Sequence, residues 1–224
     1  MIKLAIFDMD GLMLDTETIA KKTWRQALEF YGHVFDDSFY NTLIGKNSAA
    51  ARLLMYEHYG ENFDLVTIHQ MQSALAKKHI ETFGITTKKG LLPLLDYLDR
   101  VSIKKCIATS TAQDYMQYKM KNLGGVDLLS RFDGYVTGDQ VENSKPHPEI
   151  FLKAAALVGV APSDAIVLED SAAGVAAGAS AGMRVFLVPD MVEPDAETVA
   201  LAFAKCEDLN EVLINIASKM LTKC

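Results

Sequence analysis

Two aspartates stand two residues apart in IFDMDG, Asp8 and Asp10, directly after the apolar run Leu4-Ala5-Ile6-Phe7. Carboxylates so placed can hold a cation, move protons or attack an electrophilic centre. Thr109 and Ser110 follow another apolar stretch in KKCIATST, Lys145 sits in SKPHPE, and Glu169-Asp170 end AIVLED. Each alone has an ordinary reading. An aspartate after a strand is a turn residue or a helix cap, hydroxyls cap helices, and a lysine before proline belongs to a loop. Together they read differently, because carboxylates gathered at one edge repel one another unless a cation holds them. Oxygen donors suit a hard ion, and Mg2+ takes one or two carboxylates with waters and substrate phosphate oxygens.

The elements that must gather these residues are legible. Short apolar runs at 3–7, 104–108, 135–137, 165–168 and 184–188 predict buried strands. Helical patterns at 112–123, 148–158 and 172–181 lie between the later ones. The alternation predicts an α/β fold, a doubly wound parallel sheet with right-handed crossovers. Ligands of such sheets sit beyond the carboxyl ends of the strands, where all the residues above fall. The stretch after the first strand departs from the pattern. It shows no strand signal and predicts four helices, at 17–31, 37–44, 48–59 and 65–83, before another helix at 91–101. That block reads as an insertion: a small all-helical cap domain of residues 16–85 on a core of 1–15 and 86–224, tethered by hinges near Asp15 and Gly84. Trp24, Tyr31 and Phe35 are expected in the cap's own core, and Met116 and Met120 on a buried helix face. The run SAAGVAAGASA predicts a helix packed closely on the sheet and ended by Gly182.

Composition narrows the function classes. Half of the 224 residues are hydrophobic, enough for a substantial core, and the formal charge is −7. That balance argues against a nucleic-acid binder, which needs a basic face. No run approaches the length of a membrane span. The three cysteines, Cys106, Cys206 and Cys224, form no C-x-x-C pair, and with no secretory leader pattern a reduced, cytoplasmic setting is expected. A monomer is expected.

The four motifs, in this order, resemble those of the haloacid dehalogenase superfamily, in its capped phosphatase and β-phosphoglucomutase-like branch. The D-x-D-G-x-x-x-D pattern is matched by Asp8, Asp10, Gly11 and Asp15, the hydroxyl motif by Thr109, the lysine motif by Lys145, and the acidic motif by Glu169-Asp170. The resemblance covers essentially the whole chain. It implies that Asp8 is a nucleophile forming an aspartyl-phosphate and that Asp10 is the general acid and base. It implies Mg2+ held by Asp8, the Asp10 carbonyl and Asp170, with Glu169 as an adjunct ligand. Thr109, Ser110 and Lys145 would bind phosphate. Dehalogenases proper lack the second aspartate; a halide leaves without a proton and an alkoxide does not, so Asp10 points to phosphoryl transfer.

In such proteins the cap selects the substrate, a small phosphorylated metabolite. Glu17 after the hinge and Lys46 in LIGKNSAA are the cap residues expected to reach the cleft; Lys77 and Lys78 read as surface charges. Capped β-phosphoglucomutases resemble the core closely, but they carry a histidine where this chain has Ala20. They also carry an arginine soon after the cap-loop glycine, where Gly45 is followed by Lys46, Asn47 and Ser48. A Mg2+-dependent phosphatase of sugar or nucleotide-related monoesters is therefore the leading expectation. A mutase is the alternative, and a non-catalytic phosphoester sensor, which would need no general acid, is a third.

Overall fold

The computed structural model describes residues 1–46 and 48–221. Strand β1 (Leu4–Phe7) is followed by four helices, α1 (Thr16–Phe30), α2 (Asp37–Leu43), α3 (Ser48–Tyr59) and α4 (Leu65–Phe83). Then come α5 (Leu91–Arg100), β2 (Lys104–Ala108), α6 (Gln113–Lys121), β3 (Gly134–Val136), α7 (Glu149–Leu157), β4 (Ala165–Glu169), α8 (Ala172–Ser180), β5 (Arg184–Leu187), α9 (Ala196–Leu201), β6 (Ala204–Lys205) and α10 (Leu209–Leu221). All paired strands run parallel, in the order β3-β2-β1-β4-β5-β6. The order reverses between β1 and β4, which is where such sheets open a crevice.

Alternation along the strands explains the two layers. Ala5 and Phe7 of β1 join Ile166 and Leu168 of β4 in one apolar cluster, covered by Leu94, Met116 and Val212 of α5, α6 and α10. Leu4, Ile6, Ala165 and Val167 join the opposite cluster with Phe151 and Val175 of α7 and α8. The sequence reading ends at the fifth strand, and the structure adds β6, α9 and α10. β6 is two residues long, too short for a periodic signal.

Helices α1 to α4 build a third cluster from Leu28, Phe35, Tyr40, Met55, Phe63 and Ile68. Phe35 is buried there and Trp24 packs partly buried against it. Tyr31 departs from its expected place: it lies 43% exposed at the end of α1, edge-on to Phe30, because the helix stops there and turns its last residues outward. The two segments joining this unit to the sheet are bound to each other, Asp15 N–H donating to Thr86 O at 3.0 Å and Lys88 N–H to Met13 O at 2.8 Å. Cys106 and Cys206 are buried, and Cys224 lies outside the described residues.

The small-residue helix α8 owes its composition to close approach. A Cβ on Gly178 would lie 2.7 Å from Val185 Cγ2 and 3.4 Å from Val167 Cβ. Replacing Gly178 with alanine gains helix propensity of up to about 1 kcal/mol. It also forces stiff β-branched neighbours aside, at the roughly 1–3 kcal/mol usual for overpacking. Gly178→Ala should therefore lower stability in urea denaturation; a rise in the midpoint would show that α8 can lift off the sheet freely.

Candidate active site

Strand β1 delivers Asp8 at its carboxyl end, and the chain then turns through Gly11 at φ +81°. Glycine is required there twice over. A left-handed φ disfavours side chains, and a Cβ would lie 2.2 Å from Asp170 Oδ2. The turn thus lets the β1 loop lie against Asp170, the acid that directly follows β4.

Lys145 reaches into the same place from the loop before α7. Its ammonium donates to Asp8 Oδ1 at 2.5 Å, Glu169 Oε1 at 2.6 Å and Ala108 O at 3.1 Å, all buried. Glu169 is fully buried. Its second oxygen accepts from the Asp170 and Ser171 amides at 3.0 and 2.9 Å and from the Ser171 hydroxyl at 2.9 Å. Both oxygens of Glu169, expected as an adjunct metal ligand, are therefore engaged in holding Lys145 and the start of α8. Gly174 makes room for it, since a Cβ there would fall 1.8 Å from Glu169 Oε1.

Asp10 has a different set of partners. Lys119 Nζ donates to its Oδ1 at 2.6 Å, the Thr16 hydroxyl to the same oxygen at 2.7 Å, and the Thr111 hydroxyl to Oδ2 at 2.7 Å. Lys119 and Thr111 did not stand out in the sequence. One signal was there: Lys119 lies three residues after Met116 and one before Met120, on the apolar stripe of α6, and all three are buried.

Asp8, Asp10, Ser110, Lys145 and Asp170 line one cavity of about 630 Å3, with Glu17 and Lys46 on its cap side. Thr109 is 1% exposed and is not part of that wall; its hydroxyl accepts from the Thr111 amide at 3.1 Å. Lys77 and Lys78 are exposed on α4.

The donor set suits a hard divalent cation. Among the described residues no three His, Cys, Asp or Glu side chains form a metal cluster. Of the carboxylates that line the cavity, Asp8 and Asp170 are without the lysine and hydroxyl cage that holds Asp10, and Mg2+ needs no more than two when waters and phosphate complete its shell. Beside them, Asp190 Oδ2 is buried without a hydrogen-bond partner, 3.3 Å from the Cβ position of Gly11, while its other oxygen pairs with Lys88. An orphaned acceptor beside Asp170 is what a cation-bound water would satisfy.

The model of the haloacid dehalogenase-like hydrolases matches residues 5–188. The chain belongs to that family. It is 31% identical over 216 residues to a phosphorylated carbohydrates phosphatase of Thermotoga maritima, covering 95% of this chain and 98% of the other. It is 30% identical to a validoxylamine A 7'-phosphate phosphatase of Streptomyces hygroscopicus subsp. limoneus, over 95% of this chain and 96% of that one. The crystal structure of a β-phosphoglucomutase from Clostridium difficile superposes with a TM-score of 0.75 at 25% identity, over 100% of this chain and 98% of the other. These relatives put the chain among the phosphoric monoester hydrolases of the haloacid dehalogenase family.

In this hydrolase the two aspartates of the first motif are driven in opposite directions. Burial pushes Asp8 up to about 7; Lys145 opposes the shift, while Glu169 and Asp10 add to it. Burial, then Glu169 and Asp8, also raise Asp170 well above the ordinary carboxylate value. Burial works against the Asp10 anion too, but Lys119 and the Thr111 and Thr16 hydroxyls outweigh it and hold Asp10 below its usual value. Lys119→Met removes the largest stabilising charge and leaves the burial. Asp10 should then titrate at higher pH, measured by carboxyl-carbon NMR; an unmoved titration would mean that the hydroxyls suffice.

Proposed function

We propose that the protein is a Mg2+-dependent phosphatase of small phosphate monoesters, sugar phosphates or nucleotide-related esters, acting through an aspartyl-phosphate on Asp8. The observation that carries the reading is Asp8 held at 2.5 Å from Lys145 in a cavity that Asp10 and Asp170 also line. A carboxylate attacking a phosphate dianion meets like-charge repulsion. Lys145 offsets part of it and is held protonated: burial opposes its charge, but Asp8 and Glu169 outweigh burial. Bound Mg2+, held by Asp8, Asp170 and the Asp10 carbonyl, would polarise the phosphoryl oxygens and keep both carboxylates ionised. Ser110 and Lys145 would bind the non-bridging oxygens, with Thr109 fixing the loop that carries Ser110.

Asp10 fits the acid–base role in two states. Tied to Lys119, it is the carboxylate that accepts a proton from the hydrolytic water. To protonate a leaving alkoxide it must first take up a proton, which a rotation away from Lys119 favours. Thr16, the first residue of α1, holds the same carboxylate. The position of the proposed cap, residues 16–85, and the position of the acid are thereby linked through one hydrogen bond.

Asp8→Asn should abolish turnover of p-nitrophenyl phosphate while leaving the fold intact by circular dichroism, because an amide is not a competent nucleophile. Retained turnover would remove Asp8 from the mechanism. The structural likeness to a β-phosphoglucomutase keeps a second outcome in view. Ala20 offers no side-chain hydrogen bond, and Lys46 is a point charge, not a bidentate fork, so neither fixes a sugar phosphate strictly enough to keep water out. β-Glucose 1-phosphate, where accepted, should yield glucose and inorganic phosphate by phosphorus NMR in the presence of glucose 1,6-bisphosphate. Accumulation of glucose 6-phosphate would favour the mutase.

A further inference from the structure

A second cavity, of about 700 Å3, opens between the four helices α1 to α4. It meets the first one at a shared neck of Glu17, Ile44, Gly45 and Lys46. Its size lies in the range of small-molecule sites. Beyond the neck its walls carry Trp24, Tyr40, Met55, Tyr56, Leu65 and His69, with Arg52 and Gln70 as long polar side chains among them. The rings of Trp24 and His69 stand 5.7 Å apart, tilted by 44°. Tyr40 and Met55 are buried residues of this wall. Ala20 sits on α1 between Glu17 and Trp24, three and four residues from each, so its small side chain keeps the passage between neck and cavity wide.

Apart from Arg52 and Gln70, this lining is a poor environment for a polyol, whose hydroxyls would lose water against ring faces and a thioether. It suits a flat ring, which gains offset-stacked or edge contacts with aromatic walls and with methionine sulfur. A small polyol phosphate would fit within the first cavity and leave the second unused. Building on the phosphatase reading, we infer that the preferred substrates are phosphate monoesters of primary alcohols that carry an aromatic or heteroaromatic ring. The phosphate sits among Asp8, Lys145 and Asp170, the ester oxygen faces Asp10, and the ring passes the neck at Glu17 and lodges against Trp24, Tyr40 and Tyr56.

The test uses two esters of primary alcohols with similar leaving groups, 2-phenylethyl phosphate and ethyl phosphate, assayed with Mg2+. The ring-bearing ester should show a kcat/KM about 10- to 100-fold higher, the factor expected from burying a phenyl-sized group. Ala20→Phe, which fills the passage, should reduce that ratio toward one. Trp24 is the only tryptophan of the chain, so its fluorescence reports the cavity without turnover. Titration with 3-phenylpropylphosphonate should give a saturable change that ethylphosphonate does not. Equal kcat/KM values and a silent Trp24 would overturn the inference. If neither ester is hydrolysed, the phosphatase reading fails, and the Trp24 titration alone decides the cavity: a saturable change retains a ring site, and its absence removes it.

Discussion

Lys145 is a charged ammonium almost wholly buried at the wall of the cavity, and the site is arranged around that fact. Removing one partner from a buried ion pair is typically worth about 3–5 kcal/mol of destabilisation, because the other charge is stranded. Asp8 and Glu169 both answer the lysine. Glu169 can do so from complete burial only because Asp170 and Ser171 donate to its other oxygen. That in turn requires α8 to start at this point with Ser171 as its cap, whose hydroxyl also accepts from the Gly174 amide. It requires Gly174 to present no side chain. The small residues of α8 thus serve the lysine at one end of the helix and the sheet at the other.

The charge balance follows from the same arrangement. One ammonium faces two carboxylates, and Asp170 adds a third nearby, so the site holds excess negative charge when all are ionised. Burial first, and the neighbouring carboxylates after it, shift Asp8 and Asp170 toward protonation. Asp10, two residues from Asp8, has Lys119 to itself along with two hydroxyls, and shifts the other way. Neighbouring acids with environments that push them apart are the pattern by which one site separates a nucleophile from an acid–base group. The two lysines come from different elements, one from the loop between β3 and α7 and one from α6, so sequence proximity of the aspartates says nothing about which is which.

What could be read from the sequence follows from how local the signal is. β1 and β4 were legible because buried parallel strands are short uninterrupted apolar runs, and the acids at their ends break those runs abruptly. The helical block was legible because four helices without a strand interrupt the alternation. Lys119 was not, since its role depends on α6 facing Asp10 across the sheet edge, a distance of 109 residues in sequence. Glu169 was legible as an acid at a strand end but not as an ion-pair partner. The same carboxylate three residues before a helix of small residues could turn toward a cation or toward Lys145, and only the packing of α8 against it decides. The orphaned Asp190 oxygen is of the same kind, because it follows β5 in an unremarkable Val-Pro-Asp turn.

Helix α1 is where these separate features are joined. Thr16 at its first turn binds Asp10, Glu17 stands at the neck between the cavities, Ala20 follows one turn later on the same side, and Trp24 one turn beyond that. Burial, then the nearby charges of Asp10 and Asp190, push Glu17 up to about 7, with Lys119 opposing, so the neck carries a carboxyl group that can be neutral near physiological pH. A neutral Glu17 adds no repulsion to an incoming phosphate ester, whereas an ionised one adds a charge next to Asp10. A group that fills the space against Trp24 bears on the same rigid helix whose first residue holds the acid. The contact with Asp10 and the aromatic wall at Trp24 thus lie about two turns apart on one element, so the chain that holds the acid is the chain that shapes the cavity.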